Sequence, residues 1–183
     1  TSLRSSALGR CLALGVAISA ASFSTPALAA NDLWIGNSDA NFGTLANWTG
    51  SVTPNGNTPQ FGTAGTSGTT LNNDISGATY VGLTFNSGAS AYTIGGNSFT
   101  LTGGITNSST SLQTINNAIS TTAVRTVTMT TGGGNITLGG NISGTGGGIT
   151  TAGTGTLTLS GSNTYTAATT ISAQTVQYQA NGA

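Results

Sequence analysis

Residues 153–177 read "GTGTLTLSGSNTYTAATTISAQTVQ", a stretch of threonine, glycine, serine and small apolar residues with no charge. Threonine alternates with leucine in its first half. Successive side chains of an extended chain point to opposite faces, so Leu157 and Leu159 share one face while Thr156 and Thr158 share the other. β-branched side chains suit a pleated surface, and local propensity therefore agrees with the alternation.

Working outward, similar runs precede it: "ATYVGLTF", "AYTIGG", "SFTLTGG", "RTVTMTTGGG", "NITLGGN" and "GTLTLSG", with "TTIS" and "TVQY" beyond. In the fourth, Val127 and Met129 fall on one face and Thr126, Thr128 and Thr130 on the other. A phrase recurs as "FTLTGGI" at 99–105, "ITLGGNI" at 136–142 and "LTLSGSN" at 157–163. If Leu101, Leu138 and Leu159 correspond, the intervals fit coils of about 20 residues, the first interval being two coils and the second one. Coils of that length that pair with the coils above and below define a β-solenoid, with inward aliphatics stacked in one narrow core. Runs such as "TGGGN" (131–135) and "GTGGGITTAGTG" (144–155) are expected to be its corners, because glycine turns the chain without a Cβ clash. Transmembrane barrel strands need about 9–11 residues and aromatic girdles. These runs are shorter, and 11 aromatic residues serve the whole chain.

Composition narrows the chemistry. The chain holds Arg4, Arg10 and Arg125, Asp32, Asp39 and Asp74, and no Lys, Glu or His. Acid–base catalysis draws mainly on the missing residue types, so no enzyme, catalytic residue, cofactor or metal site is expected. Nucleic acid is rejected as a partner because three scattered arginines cannot neutralise a run of phosphates. Gly- and Ser-rich chains can be flexible coils, but here 36% of residues are hydrophobic and many alternate with threonine, which favours folded β-structure.

Residues 1–29 have the three parts of a secretory signal peptide: Arg4 and Arg10, the apolar run "CLALGVAISAASF" and Ala27-Leu28-Ala29, with cleavage expected after Ala29. Cys11 leaves with it, and disulfides cannot brace the remainder. The processed chain keeps Arg125 and three aspartates, a formal charge of 1 − 3 = −2. The opening Thr1 suggests a fragment of a longer reading frame.

Segment 30–65 carries Trp34 and Trp48 and is expected to be cap-like, and segment 66–183 is expected to be the solenoid. The tryptophans could stack on sugar rings, but packing in a cap over the first coil is the better expectation. Two of Asp32, Asp39 and Asp74 could be imagined as a glycosidase-like pair, whereas Asp32 and Asp39 beside Asn and Ser suit turns better. The repeating nonapeptide that binds calcium is absent. Outward threonines could order water and bind ice, although no Thr-x-Thr ladder recurs at constant spacing. Asn47-Trp48-Thr49 and Asn135-Ile136-Thr137 match a glycosylation pattern by chance at this composition.

The stretch 153–177 closely resembles the autotransporter-associated β-strand repeat, through Gly153, Gly155, Leu157, Leu159, Gly161, Asn163, Tyr165, Thr169 and Ile171. It departs at Ala167 or Ala168 and at Gln174, where glycine is usual, and at Val176, where leucine is usual. The segment "LWIGNSDANFGTLANW" is similar to the opening of secreted bacterial proteins with such repeats. The resemblance implies a parallel β-helix passenger, at the cell surface or outside a Gram-negative-type bacterium. An outer-membrane barrel would lie further along the full-length chain. A stalk or adhesion scaffold follows, with self-association, a host or environmental surface, or a glycan as partner. A carbohydrate-binding or polysaccharide-degrading β-helix is the alternative.

Overall fold

The computed structural model describes residues 31–130, 132–172 and 175–178. The expected signal peptide and Gln174 lie outside the described residues. Among the described residues, sixteen strands form three sheets in which every strand pair is parallel. The chain visits the sheets in rotation, and the fold is a three-sided parallel β-solenoid.

Face A is built from β1 (Asn31–Trp34), β2 (Thr58–Phe61), β5 (Leu83–Phe85), β8 (Ile105–Asn107), β11 (Val124–Met129) and β14 (Gly148–Gly153). Face B holds β3 (Thr70–Asn73), β6 (Thr93–Gly96), β9 (Gln113–Ile115), β12 (Ile136–Leu138), β15 (Thr156–Leu159) and β16 (Thr175–Tyr178). Face C is shorter: β4 (Ala78–Tyr80), β7 (Phe99–Leu101), β10 (Ile119–Ser120) and β13 (Ile142–Ser143). Segment 30–65 supplies β1 and β2, the first two strands of face A.

Parallel register stacks like on like. Leu71, Ile94, Ile115, Leu138 and Leu159 follow one another up the inside of face B. Leu83, Ile105 and Val127 do so on face A, and Phe99, Ile119 and Ile142 on face C. All these side chains are buried. Val127, Met129, Leu157 and Leu159 therefore point inward as the alternation requires, and the expected continuous core is present.

The register corrects two readings. Leu138 pairs with Leu159, one coil of 159 − 138 = 21 residues, but Leu101 lies on face C and does not share their column. The phrase recurs because each copy is a strand followed by a small-residue corner, and different corners of the triangle use the same chemistry. In addition, 148–153 within the glycine-rich run is a strand, not a corner. All six residues pair with β11 and Ile149 and Thr151 face inward. Turns remain at its ends, where Gly146 and Gly153 take φ of 78° and 98°. At Gly153 a Cβ would sit 1.6 Å from the Met129 carbonyl oxygen, so the close approach of two coils demands glycine.

"ATYVGLTF" likewise splits into β4 and β5 around a corner at Val81-Gly82. Strands β3 and β9, with the sequences TLNN and QTI, carry too little hydrophobic signal to be read alone. Neighbouring coils define them.

The first coil is built differently. Residues 47–49 turn back along the outer edge of β1, with an antiparallel bridge between Trp34 and Trp48. The Ile35 N–H donates to the Asn47 carbonyl and the Leu33 N–H to the Thr49 hydroxyl. Asn41 bridges to Asn72 on face B, while the Gly56 N–H donates to the carbonyl of Thr79 on face C. Behind this layer Trp34, Phe42, Trp48 and Phe61 pack with ring centroids 5.0–6.1 Å apart. The stack continues inward from Phe61 to Phe85 at 5.0 Å. Aromatic pairs at such separations add about 0.5–1.5 kcal/mol each beyond the area they bury.

Candidate functional site

The side chains available to a partner are those on the outside of the three faces, and most are hydroxyl-bearing. On face B, Thr70, Thr93, Thr114, Thr137 and Thr158 occupy successive rungs of one column. Face A stacks Thr84, Thr106 and Thr128, and face C stacks Thr79, Thr100, Ser120 and Ser143. Neighbouring strands are about 4.7–4.9 Å apart, so each column is a row of hydroxyls at that repeat. Thr128 and Thr158 were legible as outward residues, but the columns were not. Along face B the sequence intervals are 23, 21, 23 and 21 residues, from 93 − 70, 114 − 93, 137 − 114 and 158 − 137. Corner insertions absorb the difference, which is why the sequence shows no constant spacing.

Polar groups also penetrate the core. Asn107 stands in register between Phe85 and Met129, fully buried. Its amide nitrogen donates to the carbonyls of Ser111 and Gly134 at 2.9 and 3.0 Å. Its oxygen accepts from the N–H and hydroxyl of Ser109, each at 3.0 Å. Gln113 extends the network, donating to Ser109 and to the Ser90 carbonyl and accepting from the Tyr92 N–H. These bonds fix the corner between faces A and B, where the backbone leaves the strand ladder and needs other partners. The network is closed and structural.

The three aspartates act singly. Asp39 accepts from the Asn41 N–H at 2.8 Å, the Thr44 hydroxyl and the Asn47 amide. The Asn41 N–H, ahead of those two side chains, holds its carboxyl below the usual carboxylate range. This is the turn role expected of it. Asp32 is buried and accepts from the Asn57 amide, and exposed Asp74 accepts from the Gly43 N–H. Hydrogen bonding joins none of these carboxylates to another. Arg125 donates to the Thr121 hydroxyl at 2.7 Å.

Trp34 and Trp48 are each 1% exposed, so neither presents a ring to a sugar. Tyr80 and Tyr92 are buried too. Burial, with the Asp74 charge second, raises the Tyr80 hydroxyl far above its ordinary value, and burial pushes Tyr92 up to about 12. Of the two glycosylation-pattern asparagines, Asn47 is buried while Asn135 is exposed and accepts from the Thr156 N–H. Compared with family models, curated proteins and solved structures, the chain gives no significant match.

Proposed function

We propose that the chain is an exported, non-enzymatic structural segment of a bacterial autotransporter-like surface protein, serving as a stalk or adhesion scaffold. The observation that carries this reading is the in-register stacking of coils on three faces around one core. A solenoid of this kind gains length with each coil and keeps a constant girth. Five inter-strand steps on face A already correspond to about 24 Å. The likeness of 153–177 to the autotransporter-associated repeat supports the same assignment, as does the signal-like sequence 1–29.

The outside suits such a role. Hydroxyls and amides keep the prism wettable, and so few charges mean that little repulsion opposes lateral clustering. The carbohydrate alternative calls for aromatic platforms, and both tryptophans are enclosed.

The test is surface display of the full-length protein. An epitope inserted between Ser87 and Gly88, an exposed turn beyond face A, should bind antibody on intact cells. Labelling seen solely after permeabilisation would overturn the surface assignment.

A further inference from the structure

From the hydroxyl column on face B we infer a second property: this face binds ice, through Thr70, Thr93, Thr114, Thr137 and Thr158 acting as one rigid array. The inference is independent of whether the chain is displayed as a stalk.

Three observations carry it. First, the column is long and unbroken, with an outward threonine on five successive strands, each in direct register with the next. Its rungs repeat at about 4.7–4.9 Å, giving about 19 Å of regularly spaced hydroxyls and methyls. Second, these hydroxyls are unspent. Threonines at the corners spend theirs on backbone carbonyls: Thr102 donates to that of Tyr80, Thr121 to that of Ala123 and Thr130 to that of Asn107. Among the described residues, no hydrogen bond engages the hydroxyl of any of the five. Third, the immediate outward neighbours are neutral. The outward neighbours two residues further along each strand are Asn72, Gly95, Asn116, Gly139 and Ser160, none of them charged. The exposed Asn116 amide lies against Gly139, where a Cβ would come within 2.3 Å of its oxygen, so it occupies the space a side chain at 139 would take.

Together these select a neutral, periodic partner. A phosphate or an acidic polymer would need cations, and a flexible chain would need pockets. An ordered water lattice needs donors and acceptors at a fixed repeat, with methyls between them to hold the intervening waters in place. Threonine provides both groups on one stiff side chain. Because the β-ladder already fixes the array, little conformational freedom is lost on binding.

The experiment uses the purified full chain, with far-UV circular dichroism confirming β-structure in every sample. Thermal hysteresis and inhibition of ice recrystallisation should be measurable for the wild type. Thr114→Arg with Thr137→Arg should lower both at least tenfold, while Thr106→Arg on face A leaves them within twofold. Should the arginine pair fail to fold, Thr114→Val with Thr137→Val keeps the branched shape, removes two hydroxyls and should still reduce activity more than twofold. A folded wild type with neither activity overturns the inference. So does equal loss from the face A variant, and so does adsorption to crystalline cellulose or self-association that occurs without any effect on ice.

Discussion

Replacing Asn107 separates polar satisfaction from packing in the core of this solenoid. Asn107→Ala removes a donor to the Ser111 and Gly134 carbonyls and an acceptor for the Ser109 N–H. Leaving a buried polar group unpaired costs about 1–3 kcal/mol. The Ser111 carbonyl keeps longer bonds from the Ser109 hydroxyl and the Gln113 amide and loses one bond worth about 1 kcal/mol. The Gly134 carbonyl lies at a corner that water can approach in part, so the lower end applies to it, and with the Ser109 N–H the loss is about 3–5 kcal/mol in total. Asn107→Leu is the sharper variant. It places a hydrocarbon between Phe85 and Met129, a gain of about 1–2 kcal/mol from burial, yet leaves the Gly134 carbonyl and the Ser109 N–H unpaired and the Ser111 carbonyl with its longer bonds from Ser109 and Gln113. It should therefore still destabilise, by about 1–4 kcal/mol, with Ser108→Ala within about 0.5 kcal/mol of wild type. Urea unfolding followed by circular dichroism reads the change. Because coils communicate mainly with their neighbours, hydrogen exchange should localise the weakening to residues 83–138. A leucine variant as stable as wild type would show that the corner does not need this amide, and the argument would fail.

Other outcomes follow from the same fold. Gly153→Val should destabilise by more than about 2 kcal/mol in urea titration, since φ of 98° and the 1.6 Å approach to the Met129 carbonyl both oppose a side chain. Tyr92 has its folded pKa raised to about 12, so the stability it lends is complete below about pH 10 and is lost as pH rises towards 12. In a variant with Tyr165→Phe and Tyr178→Phe, phenolate absorbance should stay low until unfolding releases it; a smooth titration near pH 10 would contradict the burial. Asp39 is shifted the other way, and its support for the turn should be present above about pH 4 and fade as pH falls through its lowered folded value. Fluorescence of Trp48, one residue from the Asn47 that Asp39 holds, should report that loosening, and Asp39→Ala should remove the pH dependence. N-terminal sequencing of exported protein should begin at Ala30, and an intact amino terminus would reject cleavage after Ala29.

The architecture was legible because a half-buried strand must alternate and a coil must turn on small residues. Val127, Met129, Leu157 and Leu159 could face only inward once their threonine neighbours were placed outside. The turn role of Asp39 was legible for a similar local reason, since a short carboxylate among Asn and Ser finds backbone donors nearby. Strand β9 was not legible, because Gln113 looks like a loop residue until Ser90, Ser109 and Tyr92 arrive from elsewhere in the chain to satisfy its amide.

Sequence alone thus determined the solenoid class, the near absence of ionisable chemistry and the faces of its stronger strands, all properties that adjacent residues impose on one another. Tertiary structure decided register: that Leu101 belongs to another face than Leu138, that residues 148–153 form a strand, and that five threonines stand in one file. Register depends on how much chain each corner absorbs, and pairing between coils sets that length where residue-to-residue patterning has no hold.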